Sequence, residues 1–324
     1  MEKKNLRIVF MGTPEFAVGS LQRLVENGYN VVAVVTQPDK PVGRHASVLR
    51  PSPVKEYALA HGLPVLQPLK MKDEHFLDEL RSYHADLQVV VAFRMLPEVV
   101  WAMPRFGTFN VHAALLPDYR GAAPINWAVI NGETRTGVTT FFLDHDIDTG
   151  RIIAQRQFPI PDDADVEYVY DGLMQLGAQL CTDTVDLVLS TDGNAPSQPQ
   201  KDSDARHAAP KIFKETCAID FSLPAKRIYD FVRGLSPAPG AWCLLTPRDA
   251  NAPAQVLKVY KTAKTGESSV GVEVGTLKAE NRRLFVATVD EWLEILELQP
   301  AGKKRMAARD YLNGFQHPEH FLLK

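Results

Sequence analysis

Leu6-Arg7-Ile8-Val9-Phe10-Met11-Gly12-Thr13-Pro14-Glu15-Phe16 decides the fold. Leu6 to Phe10 reads as a strand. Gly12 turns the chain into a helix with Thr13 as N-cap, Pro14 at the first helical position and Glu15 in the first turn. That helix closes at Asn27-Gly28. Asn30 to Thr36 follows as a continuous apolar strand of the kind buried on both faces, which a parallel sheet covered by helices requires. The alternation continues with helices Val54 to His61 and Asp73 to Tyr83, strands Asp86 to Ala92 and Gly107 to His112, helix Pro124 to Ile130 and strand Gly137 to Phe142. Repeated short β-α units predict an α/β protein with a doubly wound, Rossmann-like sheet, whose ligands lie beyond the carboxyl ends of its strands.

The glycine turn does not make this a dinucleotide site. A G-x-G-x-x-G fingerprint brings backbone against a pyrophosphate, whereas here Gly12 is followed by Thr13 and by Pro14, which removes an N–H donor.

After strand Ile152 to Phe158 and a long helix from about Val166 to Leu189, the pattern breaks. Thr191-Asp192-Gly193-Asn194-Ala195-Pro196-Ser197-Gln198-Pro199-Gln200 has turn chemistry and little to bury. The expected organisation is therefore a catalytic domain over 1–190, a linker over 191–210 and a second domain over 211–324. The second domain opens with a helix near Pro224 to Val232. Strands at Trp242 to Leu245, Gln255 to Tyr260, Arg283 to Thr288 and Trp292 to Leu298 then suggest a small β-barrel.

Charge divides along the same boundary. Residues 1–210 carry 19 Lys and Arg against 26 Asp and Glu, a net of −7, whereas residues 211–324 carry 17 against 13, a net of +4. A cationic appendage on an acidic body suits a polyanionic substrate. No stretch has the ~18 consecutive apolar residues of a membrane span, and Met1-Glu2-Lys3-Lys4 leads directly into the first strand without a signal-peptide core. A cytoplasmic protein with no membrane partner is expected; the sequence assigns no oligomeric state, and a monomer is the favoured one. Cys181, Cys217 and Cys243 are too far apart for a C-x-x-C pair and are read as idle thiols.

The chemistry is expected at Asn110-Val111-His112, at the end of a strand, answered by Asp148-Thr149-Gly150. Residues two apart on a strand share a face, so the Asn110 amide and the His112 imidazole enter one volume. An amide N–H holds a developing oxyanion, an imidazole carries a proton, and a carboxylate from a later loop orients and charges the imidazole. These three groups suit acyl transfer to an amine without a covalent enzyme intermediate. Asp144, His145 and Asp146 crowd the same loop and are read as solvated charges rather than metal ligands.

Between these groups lies His112-Ala113-Ala114-Leu115-Leu116-Pro117-Asp118-Tyr119-Arg120-Gly121-Ala122-Ala123-Pro124. Asn-x-His, a Leu-Leu-Pro-x-Tyr-Arg-Gly loop and a later Asp-Thr-Gly turn together resemble the methionyl-tRNA formyltransferase family. The likeness extends through Phe10 to Phe16, Thr36-Gln37-Pro38-Asp39-Lys40-Pro41, Pro51-Ser52-Pro53-Val54-Lys55 and Leu298-Gln299-Pro300-Ala301-Gly302-Lys303-Lys304-Arg305-Met306, so it covers both domains.

The resemblance implies transfer of a formyl group from 10-formyltetrahydrofolate to the α-amino group of methionyl-initiator tRNA, with no metal. Asn110, His112 and Asp148 would be the catalytic set. Ala114, Leu115, Leu116 and Pro117, with Phe93, Met95 and Leu96, would line the folate pocket, backbone groups reading the pterin edge. Tyr119 and Arg120 would brace the loop or touch substrate. The chain departs from the family at Ala114, where Ser is usual, and at Phe93-Arg94, where Tyr-Gly is usual.

For tRNA, the resemblance implies a basic loop over Gln37 to Pro53, carrying Lys40, Arg44, His45 and Arg50, that enters at the acceptor end. At about 17 residues it is expected to lack secondary structure. Ala46-Ser47-Val48-Leu49 replaces a more basic run there. The second domain, resembling an OB-type barrel, would add Lys303, Lys304, Arg305 and Arg309 on the phosphate backbone. A sugar-nucleotide or glycinamide-ribonucleotide formyltransferase would share the Asn/His/Asp chemistry but has no use for the Arg44 loop or the basic domain. A folate- or RNA-binding module without catalysis leaves the three convergent groups unexplained.

Overall fold

The computed structural model describes residues 2–42, 48–249 and 252–324. They form two compact units. The first comprises residues up to Gly121, Thr136–Pro159 and Tyr170–Ala209; the second comprises Ala122–Arg135, Ile160–Val169 and Pro210–Lys324.

The first unit is built on a seven-stranded sheet. In spatial order its strands are Ile152–Pro159, Arg135–Phe142, Thr108–His112, Leu87–Val91, Arg7–Gly12, Asn30–Val35 and Val65–Leu66. The last five are mutually parallel, and Arg135–Phe142 runs antiparallel to Thr108–His112. The sequence explains the middle of this sheet: Ile8, Val9, Phe10 and Met11 are wholly buried, as only a strand covered on both faces allows. Phe10, Phe109 and Phe141 are also fully inside, each contributing about 1.5–3 kcal/mol of burial.

Local chemistry sets the helix starts. Ser52 Oγ accepts from Lys55 N at 3.1 Å at the head of helix Pro53–Ala60 and meets Thr36 Oγ1 at 2.8 Å, tying that helix to the end of the second strand. Asp73 caps helix Glu74–Ser82 through Phe76 N at 3.1 Å. The first helix differs from expectation. It spans Glu15–Glu26 with Pro14 in the cap position, and the buried Thr13 hydroxyl has no hydrogen-bond partner. Pro14 holds an extended ψ of 173°, so the helical turn begins one residue later than the Thr13 reading required.

The Gln37–Pro53 segment also differs from expectation, because it has regular structure. Lys40–Val42 and Val48–Arg50 form an antiparallel ladder that sets Lys40 directly opposite Arg50. Arg44 and His45 lie outside the described residues.

The segment read as a linker returns to the first unit. Gln198 bridges Ile152 through two 2.8 Å backbone bonds, and Ala208 and Ala209 pair in parallel with Arg120 and Gly121.

The second unit carries an antiparallel sheet in the order Leu277–Glu280, Arg283–Ala287, Glu291–Pro300, Gln255–Ser268, Ala241–Pro247, Phe321–Leu323, with Met306–Ala307 added on Glu291–Pro300. Its two ends nearly meet. Thr276 bridges Leu322, and Leu323 N donates to Gly275 O at 2.9 Å. Gly275 is required there, since a Cβ would collide with the Leu323 carbonyl oxygen. Leu257, Val259, Leu284, Val286, Leu293 and Ile295 fill the near-barrel, and helix Ala225–Leu235 closes it with Ile228, Val232 and Leu235. Helix Pro124–Ile130 packs in this unit through Ile130, and Asn126 Nδ2 donates to Gly234 O at 2.9 Å.

Candidate active site

Asn110 and His112 stand at the carboxyl end of Thr108–His112, between two strands that fix their register. Val90 pairs with Asn110 on one side; on the other, Phe141 pairs with Asn110 and Thr139 with His112. The Asn110 Oδ1 is buried and has no hydrogen-bond partner. A buried side-chain oxygen that the fold leaves unpaired is costly unless something else engages it.

His112 is 6% exposed. Its Nε2 lies 2.9 Å from the Tyr119 carbonyl oxygen, which can only accept, so that nitrogen carries hydrogen. The remaining nitrogen, Nδ1, faces Asp148 Oδ2 at 3.8 Å, too long for a hydrogen bond and within ion-pair range. Thus the Tyr119 carbonyl sets the ring's orientation, and Asp148 supplies negative charge beside the nitrogen that is free to take a proton. Sequence reasoning assigned both tasks to Asp148. A backbone carbonyl leaves no mark in residue identity.

Asp148 is held in a left-handed conformation, φ 56°. Its Oδ2 accepts from Gly121 N at 3.0 Å. Thr149 Oγ1 donates to Asp144 Oδ1 at 2.7 Å, and that same oxygen accepts from Asp146 N at 3.2 Å, so Asp144, exposed as expected of a solvated loop charge, also braces the turn. At Gly150 an added Cβ would collide with the Phe142 carbonyl oxygen, so the turn can pack here only with glycine. Among the described residues, the three-residue cluster of metal-capable side chains is His317, Glu319 and His320, exposed on the second unit.

The loop Ala114–Pro117 is anchored from beneath. Buried Thr139 donates through Oγ1 to Ala114 O at 2.6 Å and accepts from Leu116 N at 3.1 Å, and Gln155 Nε2 donates to Leu116 O at 2.8 Å. Leu115 O accepts from Asp118 N at 3.2 Å. Most backbone groups expected to read a pterin edge are therefore already engaged inside the protein. The Phe93–Pro97 loop leaves the neighbouring strand, whose Val91 pairs with Val111. Within it Leu96 is a core residue packed with Val90 and Val100, Phe93 lies against that cluster, and Met95 is 69% exposed. Arg94 pins this loop by donating to Leu69 O at 3.1 Å and to Pro68 O.

Of the candidate tRNA residues, Lys40 and Arg50 are exposed and directly opposed, a like-charge pair that costs some stability. Asp39 beside them is spoken for by Lys55 Nζ at 2.7 Å and Gln67 Nε2 at 2.8 Å. On the second unit Lys303, Lys304, Arg305 and Arg309 are exposed. Arg305 pairs with Glu297 at 2.6 Å and lies over the Tyr260 ring at 4.5 Å, so it is partly neutralised.

Residues 6–185 match the formyl transferase family, and residues 211–316 match the formyl transferase C-terminal domain. The fold is shared with the N-formyltransferase from Helicobacter canadensis, a structure in complex with folinic acid and dTDP-3-aminofucose; the two are 18% identical, with a TM-score of 0.60 over 94% of this chain and 100% of that one. The chain is 60% identical over 321 residues to the methionyl-tRNA formyltransferase of Parabacteroides distasonis, covering 98% of each. It is 54% identical over 328 residues to that of Bacteroides fragilis, covering 100% of this chain and 99% of the relative. With identity of this order over nearly the whole length of the chain, the chain belongs to the methionyl-tRNA formyltransferase family.

Proposed function

We propose that Asn110, His112 and Asp148 carry, in this chain, the family's transfer of a formyl group from 10-formyltetrahydrofolate to the α-amino group of methionyl-initiator tRNA. The observation that carries the assignment is the placement of Asn110 on the same strand face as His112, whose free nitrogen faces Asp148 at 3.8 Å. As the neutral amine attacks the formyl carbon, Asn110 Nδ2 donates to the developing oxyanion, a contact worth about 3–4 kcal/mol of barrier. His112 takes the proton that the amine loses and returns one to the folate nitrogen as its bond to the formyl carbon breaks. Asp148 stabilises the imidazolium between those transfers. Every proton released by the amine is consumed by the leaving nitrogen, so the enzyme ends unchanged.

The folate would rest on the Ala114–Pro117 and Phe93–Met95 loops. With most backbone groups of the first loop engaged internally, side-chain contacts carry more of the recognition than the backbone does. Leu96 would support this pocket from the core. The Lys40–Arg50 ladder, with Arg44, would present the acceptor end. Lys303 and Lys304 would supply phosphate affinity from the domain over 211–324, with Arg305 and Arg309 secondary. Charged initiator tRNA as the acceptor places the enzyme in the cytoplasm; no helix among the described residues is long and apolar enough to cross a membrane. A monomer suffices for this chemistry.

The test is formylation of charged initiator tRNA by the purified protein with 10-formyltetrahydrofolate, followed on acid gels, beside a nucleotide-linked amino sugar as competing acceptor. Formyl-methionyl-tRNA as the product supports the proposal. A formylated amino sugar with untouched methionyl-tRNA overturns it.

A further inference from the structure

We propose that Gln200 is a positioning residue for formyl transfer: its side-chain amide sets the spacing between the Asp148 turn and the Tyr119–Gly121 loop, the two elements that grip His112 from opposite sides. The inference rests on the catalytic assignment above.

A primary amide has two N–H donors and two acceptor lone pairs, and Gln200 uses all four. Nε2 donates to Asp148 O at 2.9 Å and to Gly150 O at 2.8 Å. Oε1 accepts from Arg120 Nε at 3.1 Å and Nη2 at 2.8 Å. The orientation is unambiguous, because a flipped amide would set oxygen against two carbonyls and N–H against a guanidinium. Arg120 in turn sits between the two residues that matter to the site: Tyr119, whose carbonyl holds His112 Nε2, and Gly121, whose N–H holds Asp148 Oδ2. One side chain thus bridges both partners of the imidazole.

The Ser197–Ala209 segment does not depend on that side chain for attachment. Gln198 is bridged to Ile152, Arg151 donates to Ser197 through Nε at 3.0 Å, and Asp118 Oδ1 accepts from the backbone N–H groups of Arg206 and His207 at 2.6 and 3.1 Å. Losing the Gln200 amide should therefore loosen the Asp148 turn by tenths of an ångström without releasing the segment. An error of that kind acts on the transition state, where a misplacement of about 1 Å costs up to 100-fold, and spares ground-state binding.

Gln200→Glu keeps the size and the Arg120 contact but replaces both N–H donors with lone pairs facing two carbonyls. Gln200→Leu removes donors and acceptors together. Arg151→Ala removes a neighbouring tether that touches neither Asp148 nor Arg120. In steady-state formylation of methionyl-initiator tRNA, kcat should fall about 10-fold or more in both Gln200 variants. KM for each substrate should stay within about threefold, and the kcat–pH profile should be displaced. Arg151→Ala should match wild type in all three. Thermal melts identify a variant that fails to fold, and should Gln200→Leu do so, Gln200→Glu decides. Gln200 variants within twofold of wild-type kcat, an unshifted pH profile, or an equal loss in Arg151→Ala would overturn the proposal. A wild-type protein that does not formylate methionyl-tRNA would instead remove the catalytic assignment beneath it.

Discussion

Replacing Thr139 by Val tests how the Ala114–Pro117 loop is held. The two side chains are nearly the same shape, and Thr139 is wholly buried, so the change removes a hydroxyl and little else. Lost with it are the bonds to Ala114 O at 2.6 Å, from Leu116 N at 3.1 Å and from Gln155 Nε2 at 2.9 Å. Gln155 keeps Leu116 O at 2.8 Å, which leaves two backbone groups of a buried loop without partners. At about 1–3 kcal/mol per orphaned group, the ceiling is roughly 6 kcal/mol; partial relaxation of the loop brings the expected loss to ~2–4 kcal/mol. In a domain of this size that corresponds to a fall of roughly 5–15 °C in Tm. Urea denaturation and thermal melts measure the loss, and KM for 10-formyltetrahydrofolate should rise in parallel because the same loop lines the proposed folate pocket. Thr139→Ser, which keeps the hydroxyl, should recover most of both. A loss below ~0.5 kcal/mol for Thr139→Val would refute the claim that this hydroxyl organises the loop.

Asp39 gives a pH signature: the Lys55 hydrogen bond, then that of Gln67, hold its carboxyl below the ordinary 3.8. A carboxylate with a depressed folded-state pKa adds stability above its ordinary pKa and loses it as pH falls through the folded value, so Asp39→Asn should destabilise at pH 7 and approach wild type below about pH 4 in urea titrations. A constant difference across that range would contradict the pairing. Lys303→Gln with Lys304→Gln should weaken initiator and elongator tRNA alike and reduce the salt slope of binding by about 0.7–0.9 per lost phosphate contact. Arg305→Gln should change the slope less, since Arg305 already pairs with Glu297 at 2.6 Å. Equal effects of the lysines and the arginine in fluorescence titrations at several salt concentrations would show that this ion pair opens for tRNA.

The central strands were legible because burial on both faces writes continuous apolar runs, and Ile8 to Met11 or Val89 to Val91 can be little else. Asn110 and His112 were legible for the converse reason: polar groups two apart at the end of such a run must share a face, and nothing in a core needs them. What the sequence hides is contact made by backbone or by distant polar chains. Gln200 sits in a stretch rich in Pro, Ser and Gln whose composition is that of a linker, yet its amide closes four hydrogen bonds across the site. Strand Gln255–Ser268 runs well beyond Tyr260, but register shifts after Val259, Lys261 and Lys264 break the alternation that would have announced it. Two-residue strands such as Val65–Leu66 and Ala208–Ala209 are too short to carry any period.

The most direct measurement of the catalytic claim is single-turnover formylation of methionyl-initiator tRNA by Asn110→Ala and His112→Ala, with tRNA affinity measured on the same preparations. Both groups act chiefly in the transition state, so each variant should lose two or more orders of magnitude in the chemical rate while its affinity for tRNA stays within about threefold of wild type. A near-normal chemical rate in either variant would remove that residue from the mechanism, and a loss explained by weakened tRNA binding would make it a binding residue instead.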